Sequence, residues 1–321
     1  MEKIIITANE ANQRLDRFLR KYLKNVPLSG IYEIIRKKRV KVNGKGKPSN
    51  YRLNEGDMVE LFFEGKMDAS DGIRKSGMDF TVLYEDGNIM AVDKPAGLIT
   101  HPDKNHKDNT LTDQVLYYLY GKNEYSPENE ITFRPAAVNR LDINTGGIVL
   151  FAKNYLSLQN LNMMIRERYI NKYYLCIVKG ILKGEQDIEA YLLKDEKSNM
   201  VDVSPKKEKG GKYIHTYIKT IKTGDKFTLA QIGLITGRSH QIRAQLKEIG
   251  HPIIGDIKYG DETSNDYFKK NYGLHSQFLY AYKIVIERGC GNLDYLSGKE
   301  IYSKLPPDLN KITMDLFHME Y

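Results

Sequence analysis

Between Glu64 and Gly77 the chain loses apolar periodicity and turns to Gly, Ser, Asp and Lys, and that break imposes a build in two parts. A stretch without a repeating apolar face has nothing to bury, so the sequence on each side must close a core of its own. The boundaries read as a small unit over residues 1–63, a linker over 64–78 and a larger unit over 79–321.

Before the break, Leu15, Phe18, Leu19 and Tyr22 recur at helical spacing, as do Ile31, Ile34 and Ile35, so two short helices are predicted. Val40 to Val42 then alternates around Lys41, Asn43-Gly44 is a tight-turn pair, and Met58 to Phe63 reads as a strand, giving helices first and a hairpin after. Beyond the break the chain is rich in strand-like runs: Phe80 to Leu83, Ile89 to Val92, Gly147 to Phe151, Tyr173 to Val178, Tyr213 to Ile221, Phe227 to Ile235 and Ile284 to Ile286. Two helix candidates interrupt them, one carrying Leu158, Leu161 and Ile165, the other Ile242, Leu246 and Ile249. The predicted class is α+β: a mixed, mostly antiparallel β-sheet with flanking helices, preceded by a small α+β domain.

Charge is distributed as unevenly as pattern. The formal net charge is +8, and residues 12–61 carry 13 Lys and Arg against 5 Asp and Glu, so the remaining 36 basic and 36 acidic residues cancel. A localised basic block is the footprint of a polyanion partner, because each Lys or Arg that meets a phosphate releases condensed counterions. No apolar run approaches the roughly 18 residues that a spanning helix needs. The two cysteines, Cys176 and Cys290, have no CxxC partner and read as buried thiols. A soluble, cytoplasmic protein is expected.

Four segments mix glycines, charges and polar side chains beyond what a core or loop requires: 93–102, 138–154, 172–180 and 234–260. In the second, Asp142 precedes Asn144-Thr145-Gly146-Gly147 and so stands on a turn just before a buried strand, where it is either a reactive carboxylate or a turn cap. A reactive carboxylate must be ionised and oriented, and a neighbouring cation favours that form. The fourth segment offers one: with Ser239 as a helix N-cap, Arg243 falls in the first turns, and Arg238 and His240 lie at the helix mouth, where backbone N–H groups favour anions.

Taken together and in order, these segments resemble the RluA family of pseudouridine synthases over about residues 80–310. Asn139-Arg140-Leu141-Asp142 with Thr145-Gly146-Gly147 fits the frame of a leading motif that usually reads His-Arg-Leu-Asp and then Thr-Ser-Gly. Lys172-Tyr173-Tyr174 matches the second motif, Thr236 to Arg243 the third, and Gly250 to Asp256 the tail; Lys94-Pro95 and Gly97 fit the opening strand and loop. The basic block resembles the S4 RNA-binding domain, and the stretch from Val26 to Asn43 points to members acting on large-subunit (23S) ribosomal RNA. Asn139 and Gly147 depart from the family pattern, so neither is given a chemical role.

The resemblance implies an isomerase that converts uridine to pseudouridine in structured RNA without a cofactor or metal, most often as a monomer. It makes Asp142 the essential carboxylate, Arg243 its charge partner and Tyr174 the aromatic on the target uracil, with Tyr173 facing the opposite side as core. Because C1′ is inaccessible in a stacked helix, the nucleotide must be everted, and Arg140 is expected to help hold the vacated space. Arg238 and His240 are expected at phosphates, and Arg36, Lys37, Lys38, Arg39 and Lys41 at the RNA backbone. His101, His106, His240 and His251 lack metal-ligand spacing. Two other classes compete: an N-glycosidic hydrolase pairing Asp142 with Asp256, and a non-catalytic RNA-binding assembly factor.

Overall fold

The computed structural model describes residues 1–62, 73, 75–103, 108–127, 130–195 and 200–321. Most of the expected linker, Phe63 at the end of a predicted strand, and His106 lie outside the described residues. The first unit comprises β1 (Glu2–Ile5), α1 (Leu15–Tyr22), α2 (Leu28–Arg36), β2 (Val40–Val42) and β3 (Met58–Leu61). Both helices fall on the predicted periodicities because Leu15, Phe18, Leu19, Ile31 and Ile34 supply the face that closes over the sheet. The hairpin differs from expectation. Asn43 and Gly44 do take left-handed backbone, but their turn ties Val42 only to Lys45, and β3 returns after a longer excursion to pair with both β2 and the unforeseen β1.

The second unit carries an eleven-stranded sheet. Its elements are β4 (Thr81–Glu85), β5 (Ile89–Lys94), α3 (Leu111–Gly121), β6 (Ala136–Ala137), β7 (Gly146–Ala152), α4 (Tyr155–Arg166) and β8 (Ile170–Lys179). There follow β9 (Glu185–Asp195), β10 (Met200–Ser204), β11 (Lys212–Thr223), β12 (Phe227–Leu234) and α5 (Gln241–Glu248). The chain ends with α6 (Glu262–Tyr272), β13 (Leu279–Ile286), a 3-10 turn (Gly291–Leu296), β14 (Lys299–Tyr302) and α7 (Pro307–Phe317). Strand order is β10-β9-β11-β12-β8-β13-β7-β5-β4, with β14 beside β13 and β6 beside β7. Only β13 and β7 run parallel, so the sheet is mixed and mostly antiparallel, as predicted.

That parallel contact explains Gly147. Its φ is +113°, and a Cβ placed there would lie 2.3 Å from the Ala281 carbonyl oxygen, so the strands can approach only over a glycine. Aligned one for one with Thr-Ser-Gly, Thr145-Gly146-Gly147 puts the departure at Gly146, while position 147 keeps the glycine. Asn139, the other departure, clips to β7: its amide donates to the Ile148 carbonyl at 3.1 Å and its oxygen accepts from Leu150 N–H at 2.8 Å.

A polar seam joins the two units. Buried Glu10 accepts from the backbone N–H and hydroxyl of Thr132, both at 3.1 Å. The Asn9 amide donates to Glu130 at 2.9 Å while its oxygen accepts from Tyr155 N–H at 3.0 Å. Ile131 packs on the core of the first unit. Among the described residues no helix is long and apolar enough to cross a membrane. Cys176 is buried as expected, whereas Cys290 is only half-buried.

Candidate active site

Every residue of β7 is buried, so the polar side chains that precede it are left in the connection at its mouth. Thr145 N–H donates to the Asp142 carbonyl at 3.0 Å, closing a turn that leaves the Asp142 carboxylate lining a cleft of about 530 Å³. The loop is braced from behind by Lys94, whose side chain is fully buried at the end of β5. Its ammonium donates to the carbonyls of Leu98 (2.7 Å), Pro95 (2.9 Å) and Ile143 (3.1 Å), the last of these next to Asp142. Burial pushes the Lys94 pKa down to about 7, against the attraction of Asp142 and Asp93.

Lys94→Met strips three partly buried carbonyls of one donor, at up to about 1–3 kcal/mol for each that water does not reach, and loosens the Asp142 loop. The pH signature separates this from a packing defect. Between pH 7 and the ordinary lysine value of 10.5 the unfolded chain holds a proton that the folded chain releases. Stability therefore rises with pH in that window, by at most about 1.4 kcal/mol per unit. Urea unfolding at pH 7 and pH 9.5 will show the wild type gaining on Lys94→Met as pH rises; a constant difference would mean that Lys94 does not titrate there.

Arg243 enters from α5 and is 6% exposed. Its Nη1 donates to Asp142 Oδ2 at 3.0 Å, and Nε and Nη2 grip both oxygens of Asp256 at 2.6 and 2.8 Å. Burial opposes the charge, but the two carboxylates raise the Arg243 pKa overall. Asp256, read from sequence as a turn residue, is also the buried counter-charge: Oδ1 accepts from Lys258 and Tyr259 N–H, and despite burial Arg243 holds its pKa below the carboxylate range. Its glycine-flanked turn concealed this second role, and an arginine expected to carry one acid gave no sign of another.

The start of α5 corrects the sequence reading. His240, not Ser239, is the cap residue, with left-handed backbone and no side-chain cap. The Gln241 side chain instead ties down the loop before the helix, accepting from Arg238 N–H at 3.1 Å and from the Thr236 hydroxyl at 2.9 Å. The left-handed turn swings the His240 ring inward, where Nε2 lies 4.0 Å from Asp142 Oδ2. His240 thus lines the cleft at the mouth of α5. Tyr259 oxygen accepts from Val201 N–H at 2.9 Å and lies 3.0 Å from His240 Nδ1, which fixes the ring with Nε2 toward Asp142. Burial lowers the His240 pKa, opposed by Asp142 and aided by Arg243.

Tyr174 closes the cleft floor at 5% exposure, and burial, with Asp142 adding, holds its phenol proton well above the ordinary value. Arg140 and Arg238 line the same cleft and are exposed, so all six residues predicted for the catalytic unit come together. Tyr173, expected in the core, is half-buried on the other face, with Lys283 5.9 Å from its ring. The side chains of Arg36, Lys37, Lys38 and Arg39 are exposed at the end of α2, and Lys41 lies over Phe62, all on the first unit and away from this cleft.

Comparison with known proteins agrees with this geometry. The family described as RNA pseudouridylate synthase matches residues 88–248, and the S4 domain family matches 13–59. The chain is 35% identical over 287 residues to ribosomal large subunit pseudouridine synthase C of Vibrio vulnificus, covering 87% of this chain and 86% of that one. It is 33% identical over 306 residues to an RNA pseudouridine synthase of Mycoplasma capricolum, covering 94% and 97%. The solved structure of human RNA pseudouridylate synthase domain containing 4 shares the fold at a TM-score of 0.58 and 19% identity, over 75% of this chain and 94% of that one. With this sheet, this cleft and these matches, the chain belongs to the RNA pseudouridine synthases of the RluA type, with an S4 domain at its N-terminal end.

Proposed function

We propose that the chain isomerises uridine in large-subunit ribosomal RNA, with Asp142 as the essential carboxylate, Arg243 as its charge partner and Tyr174 against the target base. The observation that carries this reading is the 3.0 Å Arg243–Asp142 pair at the floor of a cleft that admits a nucleotide. The N1–C1′ bond breaks, the base turns, and C5 joins C1′; C5 loses its proton and N1 gains one, so no redox partner is required. Asp142 acts at the ribose. Buried Arg243 orients the carboxylate and keeps a positive charge beside it in a setting poorer in water than bulk solvent. Tyr174 offers a flat face to an everted uracil. Arg140 and Arg238, exposed at the cleft, hold the RNA backbone around the everted nucleotide, and His240 stands with Nε2 beside Asp142.

The ribosomal target rests on the relatives named as large-subunit synthases. The hydrolase reading loses ground because Asp256 is sealed behind Arg243 and has both oxygens engaged, leaving no second carboxylate for a water. Large-subunit RNA transcribed with 5-tritiated uridine separates the classes: tritium release without free uracil supports the synthase, free uracil the hydrolase, and neither the binding factor.

The S4 cations have their own test. Replacing Arg36, Lys37, Lys38, Arg39 and Lys41 with Gln in the full chain weakens RNA binding. It also lowers the slope of log affinity against log salt by roughly 0.7 to 0.9 per lost phosphate contact. An unchanged slope would place the RNA elsewhere on the protein.

A further inference from the structure

Among the described residues, three cations line the cleft that the reaction above does not use: Arg166, Arg168 and Lys172. Lys172 and Tyr174 stand two positions apart on β8, so both face the cleft, and their Cα atoms are about 6.7 Å apart. Upstream, Arg166 and Arg168 line the same cleft, as do Arg238 and His240. Among the described residues Asp142 is the only acid lining it, and it is engaged by Arg243. Arg166 pairs with Glu167 at 2.9 Å. Among the described residues, neither Lys172 nor Arg168 has a carboxylate partner within ion-pair distance. Arg168 is exposed, but Lys172 is half-buried, and its ammonium reaches the Thr236–Arg238 loop so closely that a Cβ on Gly237 would lie 3.8 Å from Nζ.

A half-buried cation without a counter-charge is held at a cost and gains most from an incoming anion. Burial lowers the Lys172 pKa, and no acid offsets it. Resting on the reading that the target uridine docks on Tyr174 beside Asp142, we propose that Lys172 grips an RNA phosphodiester next to that uridine, with Arg168 continuing the track toward the cleft rim. Charge favours phosphate over a uracil carbonyl: a phosphodiester brings a full negative charge to an ammonium that has no carboxylate partner among the described residues. A lysine is suited to this task, as a point charge that tolerates the varied approach of a flexible strand.

The test uses the full chain carrying Asp142→Asn, so that binding is read without turnover, alone and with Lys172→Met or Lys172→Arg added. The probe is a large-subunit RNA transcript, and the wild-type enzyme marks the modified uridine in the same transcript. Affinity is measured across a salt series, and ethylation interference identifies the phosphates whose charge matters. Lys172→Met is expected to weaken binding about 10- to 100-fold, lower the salt slope by about one and erase an interfering phosphate beside the modified uridine, while Lys172→Arg restores most of each. Unchanged affinity, slope and interference pattern would overturn the proposal, as would a Lys172→Met enzyme with intact Asp142 that loses turnover without losing affinity. Should Asp142→Asn alone stay active, the active-site reading falls, and the salt series still decides whether Lys172 meets a phosphate.

Discussion

Asp142→Asn leaves the enzyme folded and bound to RNA but lowers tritium release from 5-tritiated uridine by at least about 10⁴-fold, the scale on which loss of a reacting side chain registers. The substitution nearly preserves shape. An amide oxygen still accepts the Arg243 Nη1 hydrogen bond, and Arg243 keeps both bonds to Asp256, so no buried charge is orphaned. Asp142 is 20% exposed, and exchanging a charged acceptor for a neutral one in that setting costs about 1 kcal/mol of stability. What vanishes is the negative charge available to the ribose. Rate and stability are thus predicted to separate, and a thermal melt run beside the tritium assay checks both. An Asp142→Asn protein with full activity would remove the proposed chemistry, and one that unfolds would make Asp142 a structural residue.

Arg243→Met is expected to lose both. Removing the guanidinium leaves Asp256 fully buried without its counter-charge and Asp142 without its orienting partner. Breaking one side of a buried pair costs about 3–5 kcal/mol, because the remaining charge must stay desolvated or be protonated. That is a large share of a typical domain's margin of 5–15 kcal/mol. Urea unfolding should therefore shift markedly, with tritium release gone at temperatures where the protein is still folded. Arg243→Lys tests geometry separately from charge: one ammonium cannot reproduce three N–H directions to two carboxylates, so it should recover part of the stability and little activity. Full recovery by lysine would show that charge alone matters.

These two predictions concern residues that were legible in the sequence. Asp142 stood before a strand with no polar position of its own and Arg243 fell at the start of an amphipathic helix, but it was the order of motifs in the resemblance, not local pattern, that paired them. Asp256 and Lys94 were visible only as members of glycine-bearing turns, since their importance comes from burial, which neighbours distant in sequence impose. The cap of α5 was placed one residue early, at Ser239, because nothing in the periodicity of 241–248 announces the left-handed backbone of His240. The same limit explains the missed elements. Helix α6 reads as polar sequence, anchored through buried Phe268 and Ser264, partly buried Tyr272 and the bonds of Asn265 to the Gly255–Asp256 turn. Helix α3 is crowded with tyrosines that blur its apolar face, although its Thr110–Asp113 capping box is complete. Strand β9 alternates charges with small apolar residues, and β1 becomes a strand only because β3 comes back to pair with it.

The seam formed by Asn9 and Glu10 against Glu130, Thr132 and Tyr155 ties the S4 unit to the unit that carries the cleft, and so sets the span between the S4 cations and the cleft in this arrangement. An RNA that satisfies both grips must carry its backbone and its everted nucleotide at that span, like a workpiece between the jaws of a caliper. Three-dimensional spacing in the RNA then filters targets before any base is read, and altering the jaw setting at Glu10 would change which RNAs fit without touching the chemistry.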